Sequence, residues 1–347
     1  MALLTRVSAI VVGDTPLADQ MNETARLVHE AFGVQACVMR DLRPDGLHLL
    51  AVSGFARESL PAILQPDEGI ASRMMAERQP ITILNVAVDP LTAKLHEAYT
   101  SALFSAFAGA PMIVKGEVIG LLGIYTAKPM QQFAFDDLDH LQVVANHVGT
   151  ALLNARLYRE LSEAYDRTLE GWSVALEYRD GETLGHTMRV TELTVKLART
   201  MGWKESDIVH LRRGAILHDI GKIAVPDSIL LKPGPLTDEE TILMRGHTER
   251  AREMLEPIAF LRPALDIPVH HHERWNGSGY PRGLRGENIP AAARIFSVVD
   301  VWDALCTDRP YRKAMPRTDV RTYLRENAGV LFEEPAVERF LEMESQG

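Results

Sequence analysis

The spacing of hydrophobic residues changes twice along this chain. Over the first 135 residues short apolar runs alternate with polar turns. "SAIVVG" and "VQACVMRD" predict strands, with an amphipathic helix between them from about Leu17 to Phe32. "RPDG" predicts a turn, and "LHLLAVSG" the strand after it. "GAPMIVKGEVIGLLGIYTAKP" predicts a hairpin closed at Lys115-Gly116. Five or six strands and about three helices imply an α/β domain around one central sheet, over residues 1–135.

From about Asp136 the apolar period lengthens. Leu141, Val144, Val148, Ala151, Ala155, Tyr158, Ser162, Tyr165, Leu169, Trp172 and Leu176 recur at alternating spacings of three and four, and residues 136–180 hold no proline. This is a heptad-like seam with one polar member, Ser162. It predicts one long helix over 136–180, started by Asp136 and Asp137 and weakened locally by Gly149 and Gly171. Such a seam serves either to pair two copies of the chain, the reading preferred here, or to pack the helix along its own chain.

Beyond residue 180 helical periodicity dominates. "TMRVTELTVKLARTMG", "ESDIVHLRRGAILHDIGK", "TDEETILMRGHTERAREMLEPI" and "ARIFSVVDVWDAL" each predict a helix, the third opened by a Thr237–Glu240 capping box. Residues 181–347 therefore read as an all-α domain. The whole chain is α+β and multidomain, with the long helix as connector.

Composition narrows the function classes. The 347 residues are 46% hydrophobic and 24% charged, with a net charge of −10. That balance suits a globular protein and disfavours a general nucleic-acid partner. The two cysteines, Cys37 and Cys306, form no paired framework, so a reducing cytoplasm is expected. Cys37 reads as a buried strand residue rather than a chromophore or metal ligand. No apolar run is long enough to span a membrane, and the N-terminus does not read as a signal peptide.

Seven of the twelve histidines lie between residues 186 and 272, and this density points to a metal. His218 and Asp219 sit near a helix end, His186 and His247 in other helical segments, and His271 and His272 open "HHERWNGSGYP". Asp300 and Asp303 share one helix face. Imidazole and carboxylate without thiolate suit iron, manganese or zinc. A carboxylate bridging two ions would polarise a shared water, and Lys222 would meet phosphate oxygens. His210 reads as a core histidine, and His270 as a packing or supporting one.

"HDIGK" followed by "HHERWNGSGYP" resembles the HD-GYP subgroup of HD-domain metal-dependent phosphohydrolases. The likeness runs from about Ala175 to Leu341 and takes in "RDGETLGH", "ILLKPGPLTDEE" and "DRPYRKAM". It implies an all-α domain that hydrolyses cyclic di-GMP to pGpG, GMP or both. It further implies His186, His218, Asp219, His247, His271, His272 and Asp300 as metal ligands, with Asp219 bridging. Glu182 matches the members that hold three metals instead of two. Lys222 matches a residue beside the scissile phosphate, with Gly279, Tyr280 and Pro281 as the GYP element. Tyr280 would stack or hydrogen-bond near guanine or phosphate, and Arg309 and Arg312 would contact substrate phosphates. Asp303 fits a supporting place. Asn276 stands where the family usually has aspartate, which keeps the turn but loses a charge.

The N-terminal region resembles a GAF domain, on the order of its elements. That likeness implies a small-molecule sensor, often dimeric, that regulates through the long helix; no motif fixes its ligand. A cyclic di-GMP receptor with little hydrolysis, or a phosphohydrolase of another cyclic dinucleotide, are the alternative readings.

Overall fold

The computed structural model describes residues 2–11, 16–95, 104–127, 135–181, 185–308 and 313–345. Among them the chain forms two units, residues 1–161 and 162–347.

The first unit is built on a six-stranded antiparallel sheet. Its strands are β1 (Ala36–Arg43), β2 (Gly46–Ser53), β3 (Ile63–Leu64), β4 (Ile81–Ile83), β5 (Ala106–Val114) and β6 (Glu117–Thr126), in the order β3-β2-β1-β6-β5-β4. The predicted hairpin is β5–β6. Its turn closes at Lys115 and Gly116, both with positive φ, 51° and 83°. Two successive left-handed residues match the twist of the flanking strands. Strand alternation divides the core in two. Cys37, Met39, Ala51, Ala110, Met112, Leu122 and Ile124 face the helix Leu17–Phe32 and the start of the long helix. Val38, Leu47, Leu49, Phe107, Leu121 and Tyr125 face the other way, toward Ala71 and Met74 of the helix Gly69–Glu77.

One sequence expectation fails here. "SAIVVG" does not open a strand: its first four residues belong to the helix Ala2–Val11. Leu3, Val7 and Ile10 pack into the core at spacings of four and three, a helical stripe. The run of β-branched residues hides this period. Cys37 is fully buried, and burial pushes its thiol upward, as suits a packing residue.

The long helix runs Phe135–Asp180. The seam is not uniformly open. Leu141, Val144, Val148 and Ala151 are buried in the first unit, and Leu169 and Leu176 are buried among residues of the second. Between them Leu157, Tyr158 and Leu161 are 50–75% exposed.

The second unit is helical, and its described residues form no strand. Phe296, Trp302, Phe332 and Phe340 centre one core, and Leu169, Ile216, Ile220, Ala251 and Leu261 form a second, smaller one. The predicted capping box at Thr237 is present, with Glu240 reaching back to the Thr237 amide. The single helix expected after it is instead two, Asp238–Arg245 and His247–Leu255, divided at Gly246. The break makes His247 the first residue of its own helix.

Candidate metal centre

The helix Glu205–Ile216 ends just before the HDIGK motif. His218 and Asp219 occupy the turn that follows, and Ile220–Ala224 forms a 3-10 turn. Gly221 is required there by a close approach. A Cβ at this position would lie 1.8 Å from the carbonyl oxygen of His247. Only glycine lets the start of the His247 helix press against the motif. A similar constraint holds Gly279, where a Cβ would lie 2.4 Å from the Arg274 amide nitrogen.

Seven predicted ligands come together in two groups. Asp219, His247, His271 and His272 form one group, and His186, His218 and Asp300 the other; within each, the potential ligand atoms lie within 4.8 Å of one another. Asp219 stands between them. Its Oδ1 lies 3.5 Å from His247 Nε2 and 3.7 Å from His271 Nε2, and its Oδ2 lies 3.1 Å from His218 Nε2. Across the second group, His186 Nε2 lies 3.5 Å from Asp300 Oδ1.

The hydrogen bonds fix which ring nitrogens face inward. His218 donates Nδ1–H to the Ala215 carbonyl, His247 to Met244 and His271 to Ile267, at 2.9, 2.8 and 3.0 Å. His186 Nδ1 donates to the Asp303 carboxylate at 2.7 Å. A carbonyl cannot donate, so the His247 and His271 rings, which burial keeps toward the neutral form, present bare Nε2 lone pairs to the centre. His247 Nε2 and His271 Nε2 then face each other at 3.5 Å, acceptor against acceptor. Asp219 Oδ1 is buried and has no hydrogen-bond partner. A buried carboxylate oxygen among imidazole lone pairs is costly without a cation, and outward Nδ1–H bonds are how metal-binding histidines are held. The residues therefore fit divalent ions.

Electrostatics agree. Burial opposes the charge on Asp219, but Lys222 and His218 hold its carboxyl well below the usual range. Burial also keeps His271 and His272 neutral, His272 down to about 3. For Asp300 burial is likewise outweighed by His186, and the carboxyl stays ionised.

The two groups line a cavity of about 530 Å³ that also touches Asp180, Lys222, Leu230, Leu231, Lys232, Met244 and Tyr280. Lys222 Nζ is 2.7 Å from Asp219 Oδ2 and 3.4 Å from Asp180 Oδ2. Tyr280 stacks on His272 at 4.6 Å between ring centroids, with the Arg245 guanidinium 4.9 Å from its ring. Burial pushes the Tyr280 phenol upward, so it remains a hydrogen-bond donor. Gly279 and Pro281 shape the loop rather than line the cavity. Asn276 accepts from the Ser278 amide and hydroxyl, at 3.0 and 2.6 Å, and also stays outside the lining. His210 lines a separate cavity beside Trp203, and His270 bonds the Asp266 carbonyl; neither joins the centre. Glu182, Arg309 and Arg312 lie outside the described residues.

Three supporting residues were not singled out from the sequence. Glu177 accepts from the Gly185 and Thr187 amides, both at 2.8 Å, where the helix of His186 begins. Buried Glu273 accepts from the Arg282 and Leu284 amides at 2.8 and 2.9 Å and so holds the loop after Tyr280. Arg179 binds the turn after Lys222. The signal for Glu177 and Arg179 was their place just before "GETLGH"; the signal for Glu273 was its place directly after the histidine pair.

Residues 16–152 match the family model for the GAF domain, and residues 173–334 match that for the HD domain. A protein of Xanthomonas campestris pv. campestris named cyclic di-GMP phosphodiesterase response regulator RpfG is 40% identical over 199 residues, covering 56% of this chain and 53% of that protein. A Thermotoga maritima protein named cyclic di-GMP phosphodiesterase is 40% identical over 193 residues, covering 54% and 52%. A Vibrio cholerae protein named 3'3'-cGAMP-specific phosphodiesterase 2 is 35% identical over 214 residues, covering 61% and 41%. The chain thus spans about half the length, or less, of these relatives.

Proposed function

We propose that this chain, in which a GAF domain precedes an HD domain, is a metal-dependent phosphodiesterase that hydrolyses cyclic di-GMP to pGpG, GMP or both. The observation that carries this reading is Asp219, whose two oxygens address two separate histidine groups at a cavity that also holds a lysine. His186, His218 and Asp300 would hold one ion and His247, His271 and His272 the other, with Asp219 shared. Glu182 would serve a third. Iron or manganese suits this donor set. Bound there, such ions supply Lewis acidity toward phosphoryl oxygens and lower the pKa of water.

The chain's own side chains set the rest. Asp303 fixes the His186 ring through Nδ1, and backbone carbonyls fix His218, His247 and His271. Lys222 offers a cation to the phosphate as negative charge develops. Its bond to Asp219 keeps the ammonium at the cavity wall. Tyr280 donates its phenol hydrogen to a phosphate oxygen. Leu230, Leu231 and Met244 give an apolar wall for a base. The cavity falls within the usual ligand-pocket range of about 300–1,000 Å³. Arg309 and Arg312 would reach the second phosphate.

The GAF domain would regulate through the long helix in response to a small molecule. Exposed Leu157, Tyr158 and Leu161 support a homodimer paired along that helix. Two unpaired cysteines favour a cytoplasmic setting. Among the described residues no helix is long and apolar enough to cross a membrane.

The Vibrio cholerae relative favours a second substrate, 3'3'-cGAMP, in the same pocket. Chromatography of products from both dinucleotides separates the readings, using protein purified anaerobically with iron(II) or manganese(II). Faster loss of cyclic di-GMP is expected. Faster loss of cGAMP would move the substrate assignment. No turnover at full metal occupancy would leave a receptor.

A further inference from the structure

The last turn of the long helix reaches the metal centre at three points. Glu177 supplies the amide acceptors missing from the start of the His186 helix, whose N-cap is Gly185 and has no side chain to cap with. Asp180 pairs with Lys222. Arg179 spreads its guanidinium over the end of the 3-10 turn. Nη1 donates to the carbonyls of Lys222 and Ile223, and Nη2 donates to the Val225 carbonyl at 2.7 Å and to Asp227 at 2.8 Å. The Lys222 carbonyl also accepts the Val225 amide, at 2.9 Å, and one planar fork reaches it together with the Ile223 and Val225 carbonyls.

We propose that Glu177 and Arg179 are positioning residues for His186 and Lys222, so that this one helical turn sets the geometry of the metal pocket. Neither side chain lines the cavity. Both act through backbone: Glu177 on the amides around His186, Arg179 on the carbonyls around Lys222. Any displacement of the turn moves a metal-ligand candidate and the phosphate cation together. The regulatory helix of the proposed enzyme therefore needs no separate switch element; its own last turn holds the site. The activity readout below rests on the phosphodiesterase reading, and the exchange and metal readouts do not.

The test uses the full chain with Arg179→Ala, Arg179→Lys and Glu177→Gln, followed by hydrogen–deuterium exchange of the metal-free protein, manganese(II) affinity and turnover of cyclic di-GMP. In Arg179→Ala, amides of residues 220–227 exchange about 10-fold faster or more, while those of 291–306 keep the wild-type rate. Turnover falls about 10- to 100-fold, as for a small misplacement of a reacting group. Guanidinium ion at low millimolar concentration restores turnover to Arg179→Ala, and ammonium does not. Arg179→Lys restores little, because one ammonium cannot span four acceptors. Glu177→Gln speeds exchange at 185–190 and weakens manganese(II) binding. Wild-type exchange at 220–227 in Arg179→Ala, or wild-type turnover in Arg179→Lys, overturns the proposal. If the wild type hydrolyses no cyclic dinucleotide, the phosphodiesterase reading falls. Exchange and metal affinity then still decide the positioning roles.

Discussion

The first unit's cavity and the second unit's cavity are lined by opposite chemistry. The first, about 80 Å³, is bounded mostly by apolar side chains such as Val38, Leu64, Met74 and Phe107, with Arg40, Gln65 and Glu68 among the polar ones. The second, about 530 Å³, is bounded by five histidines, Asp219, Asp300 and Lys222 among others. Apolar walls exclude water and accept many shapes. Converging lone pairs around a buried carboxylate accept only a cation. A sequence can therefore declare the second site in its residue types, whereas the first is specified by shape alone. Among its polar groups Arg40 is already engaged by the fold: it donates to the carbonyls of Leu47 and Pro61 at 3.2 and 3.0 Å.

Substitutions sharpen that contrast. Outside the metal-ligand candidates, the largest effect is expected from Lys222→Ala, which removes the phosphate cation alone. Turnover should drop about 100- to 1,000-fold, with metal content by elemental analysis unchanged. Loss of metal in this variant would make Lys222 part of the ligand scaffold instead. Gly221→Ala comes next. Its methyl group would collide with the His247 carbonyl, so denaturant titration should show the helical unit weakened by about 3 kcal/mol. Near-wild-type stability would mean that the His247 helix yields easily. Arg40→Ala is expected to be milder and confined to the sheet. Two carbonyls lose their donor, at a cost of about 1–3 kcal/mol, while manganese(II) stoichiometry stays as in the wild type. A change in metal content there would break the separation between the two cavities.

Acid probes the ring cluster itself. Burial holds His247, His271 and His272 below the ordinary histidine value of 6.5 in the folded chain. His218 shifts the other way, because Asp219 outweighs burial. Below about 6.5 the unfolded chain binds protons that these three folded rings refuse. Stability is thus complete above that pH and is lost as pH falls toward the folded values. Melting of metal-free protein should fall between pH 7.5 and 5, by about 2 kcal/mol of stability for each ring that stays neutral at pH 5. A flat profile would contradict the buried, neutral state of the ring cluster.

Much of this was legible in the sequence. The β5–β6 hairpin, the Leu17–Phe32 helix and the Thr237 capping box follow from local rules, because turn residues and caps act over three or four positions. The metal-ligand candidates were legible as types, since few other roles gather so many histidines. The helix Ala2–Val11 was misread because its β-branched residues mimic a strand. The break at Gly246 was missed because the apolar stripe continues through it. Glu177, Arg179 and Glu273 drew no expectation from the sequence. What makes them structural is a set of backbone groups eight or more residues away, and no local pattern announces such partners.

The central claim is that Asp219 joins two histidine groups into one centre. The direct measurement is metal content and cyclic di-GMP turnover of anaerobically loaded wild type beside Asp219→Ala. The account expects at least two ions per wild-type chain. In the variant at least one ion should be lost, and turnover should fall about 1,000-fold or more. A variant that keeps both its ions and its turnover would show that Asp219 bridges nothing.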